Sequence, residues 1–558
     1  MLCNFCGGKL RKSTSQKVGT GFWIRSAPSK VKIFTSVRRN SMYDFTKSIF
    51  SAVLVSSLIY SGGAFAGSFD TKDLAELRLP GNSPVMDCAS LAFKGEYDYT
   101  IYSAELIPAA GDVLEHCQLD GIIRPEIRFQ VNLPTQWNGR FYMSGNGAFA
   151  GTQPGTGRAK TRDNALKYGF ATAYTDTGHN SSAFSTSFAF QNLSKEVDYT
   201  YRSVQLTAIT AKDLLKEFYG KSENYAYWDG CSTGGRQGLM FAQRYPEMFD
   251  GIVAAAPIPN FTDLMVAFVW NTLALQSSEP LTATHMKTIA GTLYEQCDAM
   301  DGAKDGLIRD PRMCKFDPEK DLPRTGEGSF SDGQIASLVK VYGGVQSNGK
   351  QYYPGWPLGA EIADKKGNPM WNNWMYKADG SGGTIQEIMG KAFMDNLAFV
   401  PDDPKNDWRS FDFDKDPAKI TTIRKMLDTT NPNLTRFAKS GGRMITYHGW
   451  ADPGVTPYLT TNYYDDVIKA MNGKAQDSYR LFMVPGMGHC GGGIGASKID
   501  AMSSVIDWVE SNKTPTQLVA TGGGADGKGS VLMCPYPQAA KYKGSGDALD
   551  QANWTCGN

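Results

Sequence analysis

Apolar positions along the chain fall into short runs rich in β-branched and aromatic residues, and these runs alternate with segments whose apolar positions recur at helical spacing. Residues 127–131, 140–143, 170–174, 225–228, 251–255, 444–447 and 479–484 predict strands. Ala211, Leu214, Leu215 and Phe218 stand at i, i+3, i+4 and i+7, and 235–245 reads as a helix directly after a strand. Such alternation predicts a mainly parallel sheet covered on both faces. Between 257 and about 440 the strand signals nearly vanish, and short helical stretches with loops rich in Gly, Pro, Trp and Asp replace them. The expected class is α/β, with this stretch inserted as a large lid.

At the join between the strand at 225–228 and its helix stands Gly230-Cys231-Ser232-Thr233-Gly234. A Gly-x-Ser-x-Gly run between an apolar strand and a helix is the nucleophile elbow of the α/β-hydrolase fold, whose glycines permit a turn tight enough to expose the hydroxyl. Ser232 is the candidate nucleophile. Far downstream, Gly486-Met487-Gly488-His489-Cys490 offers a candidate base, so each of the two residues touches a cysteine. If Cys231 and Cys490 are bridged, their Cα atoms lie about 4.4–6.8 Å apart, and Ser232 and His489 become neighbours in space. Chain order in this fold places the acid between nucleophile and base. Asp452, in the turn after the 444–447 strand, fits that place.

The chain has five histidines. His116 beside Cys117 and His285 in a lid helix read as structural. His448, four positions before Asp452, reads as a support for the turn, and His179 as an organiser of the pocket rim. Acyl transfer to a serine needs donors aimed at the developing oxyanion. Thr233 supplies one backbone N–H, and the loop Gly145-Asn146-Gly147-Ala148 supplies the other, through Gly147 or alternatively Ala148.

These motifs, with Asn138-Gly139-Arg140-Phe141, Ser144-Gly145-Asn146-Gly147, Thr175-Asp176-Thr177-Gly178-His179, His448-Gly449-Trp450 and Asp452-Pro453, make the chain resemble the tannase and feruloyl esterase family of secreted serine hydrolases from about residue 88 to 556. The resemblance implies a disulfide between Cys231 and Cys490, the neighbours of Ser232 and His489. It further implies pairs Cys88 with Cys117, Cys297 with Cys314, and Cys534 with Cys556. Sequence alone leaves many pairings open.

Asp298, Asp301 and Asp305 gather three carboxylates in one turn-rich loop, a density of hard oxygen ligands that suits calcium. The loop is no EF-hand, because Arg312 stands where the bidentate Glu belongs. The resemblance implies a structural calcium ion in the lid, held by these carboxylates and the carbonyls of Ala303 and Leu307. It also implies lid contacts to substrate. Some members use a lid arginine in a Phe-x-Arg-Tyr segment to hold a substrate carboxylate, and the matching Phe393-Met394-Asp395 puts Asp395 in its place. Phe393 and Phe399 are then the expected aromatic contacts, with Asp395 disfavouring a free carboxylate.

At 558 residues, 41% hydrophobic and 12% aromatic, the composition is that of a globular enzyme, with length for one large core plus an insertion. Residues 1–41 carry nine Lys or Arg and no Asp or Glu, and read as an unstructured or non-native extension preceding a start at Met42. Residues 42–66, with an apolar stretch ending in Ala64-Phe65-Ala66, read as a secretory signal peptide. Cys3-x-x-Cys6 lacks the second pair that a zinc ribbon needs. Without residues 1–66 the chain holds 47 Lys or Arg against 55 Asp or Glu, a net charge of about −8 that disfavours nucleic acid. Its eight remaining cysteines suit an oxidising compartment, secreted or periplasmic.

The expected organisation is a catalytic α/β-hydrolase domain over 67–257 and 441–558 with a lid over 258–440. The expected partner is a small-molecule aromatic ester, with no membrane contact after signal cleavage. The reading of choice is a serine carboxylic ester hydrolase acting on esters of hydroxycinnamic or gallic type acids. The alternatives are a mono(2-hydroxyethyl) terephthalate or tannin acyl hydrolase and, in another class, a calcium-stabilised binding protein whose chemistry has lapsed.

Overall fold

In the computed structural model, which describes residues 81–364 and 367–557, the apolar runs become strands of one sheet. The expected extension 1–41 and signal peptide 42–66 lie outside the described residues. Before the insertion come β1 (Tyr99–Ile107), β2 (His116–Ile123), β3 (Ile127–Pro134), β4 (Arg140–Ser144), β5 (Ala171–Thr175), β6 (Tyr225–Cys231) and β7 (Gly251–Ala255). Strands β8 (Val345–Ser347) and β9 (Lys350–Tyr353) form a hairpin inside it, and β10 (Arg443–Gly449) and β11 (Tyr479–Val484) follow.

The sheet order is β1-β2-β3-β5-β4-β6-β7-β10-β11. Pairings are antiparallel from β1 to β5 and parallel from there to β11. Every residue of β4, β5 and β7 is buried, as a parallel sheet covered on both faces requires. Successive side chains alternate between the two layers. Phe141 and Met143 pack with the helices Ser203–Tyr219, Thr233–Arg244 and Pro457–Ala470, while Tyr142 packs on the opposite side with Ala501–Ser511.

This is the α/β-hydrolase architecture, with additional helices inserted between β7 and β10. The insertion has a core of its own around the helices Phe261–Gln276, Ala283–Cys297, Asp332–Gly343, Ile385–Asn396 and Thr421–Leu427, including Phe268, Leu338, Trp371 and Ile423. That core runs on into Val455 and Leu459, beside the turn that carries Asp452. Local sequence sets the helix starts: Thr282 and His285 form a reciprocal cap, as do Ser331 and Gln334. His285 is therefore a capping residue. Disulfides join Cys88 to Cys117, Cys231 to Cys490, Cys297 to Cys314 and Cys534 to Cys556. Among the described residues no helix is long and apolar enough to cross a membrane.

Four buried carboxyls give the fold a pH signature. Burial lifts Asp176, Glu196, Glu361 and Asp428 each to about 7. Between the ordinary carboxyl range and about 7 the native state holds these protons and the unfolded chain does not, so stability falls as pH rises through that window. Burial pushes His179 down to about 4 and His116 in the same direction, which opposes the trend by letting the unfolded chain take up two protons. Four groups outweigh two. A higher Tm at about pH 6 than at about pH 8 is expected by calorimetry, and the reverse order would show that these carboxyls ionise without cost.

Candidate active site

Ser232 sits between the end of β6 and the first turn of Thr233–Arg244 with φ 62° and ψ −122°, a conformation most residues avoid. Backbone contact explains the flanking glycines. A Cβ on Gly230 would lie 2.5 Å from the Gly234 carbonyl carbon, and one on Gly145 would lie 2.6 Å from the Gly234 Cα. Only bare backbone lets the elbow helix approach both β6 and the loop after β4 this closely.

His489 follows β11, and its Nε2 lies 3.0 Å from Ser232 Oγ. Its Nδ1 lies 2.8 Å from Asp452 Oδ2. Asp452 is fully buried in the turn after β10, where its Oδ1 accepts from the amides of Gly454 at 2.7 Å and Val455 at 2.9 Å. Burial alone would raise this carboxyl, but the charge of His489 and the hydrogen bonds from His448 and His489 overcome burial and hold it well below the usual carboxylate range. The Cys231–Cys490 bridge, with Cα atoms 5.9 Å apart, ties the elbow to the loop of His489. Sequence-predicted Ser232, Asp452 and His489 are thus brought into one hydrogen-bonded row.

Beside the serine lie candidate oxyanion donors. The Thr233 amide opens the elbow helix, where no carbonyl one turn back exists to receive it. Among the described residues the Gly147 and Ala148 amides also meet no acceptor. The Ala148 carbonyl points away, accepting from Thr233 Oγ1 at 2.6 Å, with Ala148 at φ 48°. A clamp that the sequence did not reveal fixes this loop: the Asn146 amide donates to Gln237 Oε1 at 3.0 Å, and Gln237 Nε2 donates back to Asn146 Oδ1 at 3.1 Å. Gln237 stands one turn beyond the serine on the same helix, so loop and nucleophile move together. His179 donates from Nε2 to the Phe149 carbonyl at 2.9 Å and stacks on Phe188, steadying the next stretch of the loop. His116, the first residue of β2, hydrogen-bonds the Leu114 carbonyl just before that strand and stands apart from this group.

The family model described as tannase and feruloyl esterase matches residues 111–557. The chain belongs to the tannase and feruloyl esterase family. Among its relatives, mono(2-hydroxyethyl) terephthalate hydrolase of Piscinibacter sakaiensis is 30% identical, over 81% of this chain and 87% of that one. Feruloyl esterase B of Aspergillus niger is 29% identical over 76% of this chain and 82% of that one. The crystal structure of feruloyl esterase B from Aspergillus oryzae superposes with a TM-score of 0.73 at 26% identity, covering 84% of this chain and 99% of that one. Membership in this family makes the chain a serine carboxylic ester hydrolase with a small-molecule ester as substrate. The alternative of a binding protein without chemistry gives way to it.

One expectation drawn from the family is overturned. For calcium at Asp298, Asp301, Ala303, Asp305 and Leu307, no group of three or more His, Cys, Asp or Glu among the described residues is placed to hold a metal ion. The carboxylates are engaged elsewhere. Asp298 accepts from the Gly306 amide at 2.9 Å, Asp301 from Ala303 at 2.9 Å and Asp305 from Leu307 at 3.1 Å. Arg309 lies 2.7 Å from Asp305 and 3.3 Å from Asp301, with its guanidinium 3.4 Å from the Trp554 ring centroid. The loop thus carries its own cation, and Arg309, four positions after Asp305, was the overlooked signal.

In the lid, Phe393 is fully buried in the insertion's core and Phe399 packs partly buried against it. Asp395 forms an ion pair with Lys391 one turn earlier. A lid side chain found against the site is Trp374, whose ring meets the His489 imidazole edge-on with centroids 5.2 Å apart and covers Gly454. Nothing in the sequence set this tryptophan apart from the chain's ten others.

Proposed function

We propose that the chain hydrolyses esters of aromatic acids of the hydroxycinnamic or gallic type, with Ser232 as nucleophile, His489 as base and Asp452 as its orienting acid. The observation that carries the reading is the row Ser232 Oγ, His489 Nε2, His489 Nδ1 and Asp452 Oδ2, with steps of 3.0 and 2.8 Å. His489 takes the serine proton as Oγ attacks the ester carbonyl, then returns it to the leaving alcohol. Thr233 and Gly147, with Ala148 as alternative, donate to the oxyanion, each worth about 2.7–4 kcal/mol. A water activated by His489 then releases the acid. Asp452 keeps its charge throughout because four donors surround it.

In this reading 67–257 and 441–558 form the catalytic domain and 258–440 the lid, whose Trp374 gives the site an aromatic wall. Four disulfides support a secreted or periplasmic setting. The second reading, hydrolysis of a terephthalate monoester, rests on the relative that bears that name. Charge favours the first. Lys391 and Asp395 cancel one another, so this part of the lid offers no surplus cation to a free carboxylate. Methyl ferulate is therefore expected to show a higher kcat/KM than mono(2-hydroxyethyl) terephthalate on purified protein. The opposite ranking would move the chain to the second reading.

A further inference from the structure

Asp452 serves two histidines. Besides His489, its Oδ2 lies 3.0 Å from Nε2 of His448, which is fully buried near the end of β10. The same Nε2 lies 3.0 Å from the Val455 carbonyl, and Nδ1 lies 2.8 Å from Thr460 Oγ1 on the helix Pro457–Ala470. A carbonyl and a carboxylate can only accept, so Nε2 must carry a hydrogen and donate to both. Thr460 then donates its hydroxyl hydrogen to Nδ1, which fixes the tautomer. Every polar atom of the ring is used, and none of it reaches Ser232.

From this arrangement we propose that His448 is a positioning residue of the ester hydrolysis: by donating to Asp452 it fixes the carboxylate's orientation and draws off part of the charge that faces His489. The inference rests on the roles given above to Ser232, His489 and Asp452. Two amides hold Oδ1, so Oδ2 is the oxygen that faces both imidazoles, and His448 and His489 compete for its electron density. A carboxylate relieved in this way grips the imidazolium of His489 less tightly, which leaves His489 free as a base at lower pH. Tyr353 of the lid hairpin also feels Asp452, and burial raises its hydroxyl well above the usual range, so it stays neutral. The lid residue against His489, Trp374, has no titratable group.

The test is the pH profile of 4-nitrophenyl acetate hydrolysis by the full chain. His448→Leu is expected to lower kcat about tenfold with little change in KM, and to move the acid limb of kcat/KM up by about half a pH unit. His448→Gln, whose Nε2–H can still reach Oδ2, should restore both to within about twofold. Thr460→Val keeps the side-chain shape while removing the hydroxyl that holds the tautomer, so it should move the limb in the same direction by less, and it decides the matter should His448→Leu fail to fold. A folded His448→Leu with an unmoved acid limb, a His448→Gln no better than His448→Leu, or a Thr460→Val with a wild-type profile would each overturn the proposal. Ser232→Ala, run alongside, separates the two claims. Activity surviving there sinks the underlying reading, whereas its loss together with an unmoved limb in the His448 and Thr460 variants sinks this inference alone.

Discussion

Ser232→Ala is expected to lower kcat/KM by at least about four orders of magnitude while leaving the fold and Tm nearly unchanged, because it removes the attacking oxygen and little else. The serine side chain is buried and has one polar partner, His489 Nε2 at 3.0 Å, so alanine gives up that hydrogen bond and a single oxygen's packing. Its unusual backbone, φ 62°, is as available to alanine as to serine, since both carry a Cβ. The stability change therefore stays within about 0.5 kcal/mol. His489→Ala should match the loss in rate, since the serine then has no base. Asp452→Asn should be milder, because an amide oxygen at Oδ1 can still receive Gly454 and Val455. Turnover of 4-nitrophenyl acetate and labelling by a serine-directed phosphonate read the result. An alanine variant with near wild-type turnover, in protein free of other esterases, would remove Ser232 from the mechanism.

The sequence carried the centre of this molecule further than its edges. All seven expected strands form, because each is buried on both faces and so reads as an unbroken apolar run. Strands β1 and β2 were missed. β1 is the edge strand and β2 lies beside it, each with one face partly open, and polar positions such as Gln118 and Asp120 break the pattern. The elbow and the His489 loop were legible because chemistry there demands fixed residue types at adjacent positions. The Asn146–Gln237 clamp and the Trp374 wall were not, because they join segments distant in sequence through ordinary amides and one ring. Arg309 shows the opposite failure. Its neighbours Asp301 and Asp305 drew attention as ligands for an ion, while the cation that meets them stood in the same loop.

Exchanging both Cys231 and Cys490 for serine is expected to reduce kcat about a hundredfold, a larger effect on rate than on secondary structure. The bridge closes a loop of 259 residues, for which chain entropy gives about 5.6 kcal/mol. Stability alone would not explain a loss of rate in the molecules that remain folded. Position does. His489 rides on a loop held by few backbone bonds, chiefly Ala451 N to Met487 O at 3.1 Å and Gly488 N to Gly492 O at 3.2 Å, and Cys490 directly after it stands at φ 60°. Freed of the disulfide, the imidazole can drift from Ser232 by about an ångström, and a misplacement of that size costs about a hundredfold. The Cys88–Cys117 bridge supplies the control. It spans 29 residues and anchors on β2, away from the triad, so replacing it should cost about 3–4 kcal/mol and lower Tm while kcat stays at the wild-type value. If both double variants lose rate in step with Tm, the Cys231–Cys490 bridge is a staple like the other. If only the first loses rate at temperatures where both are folded, the bridge is part of what sets the distance between nucleophile and base.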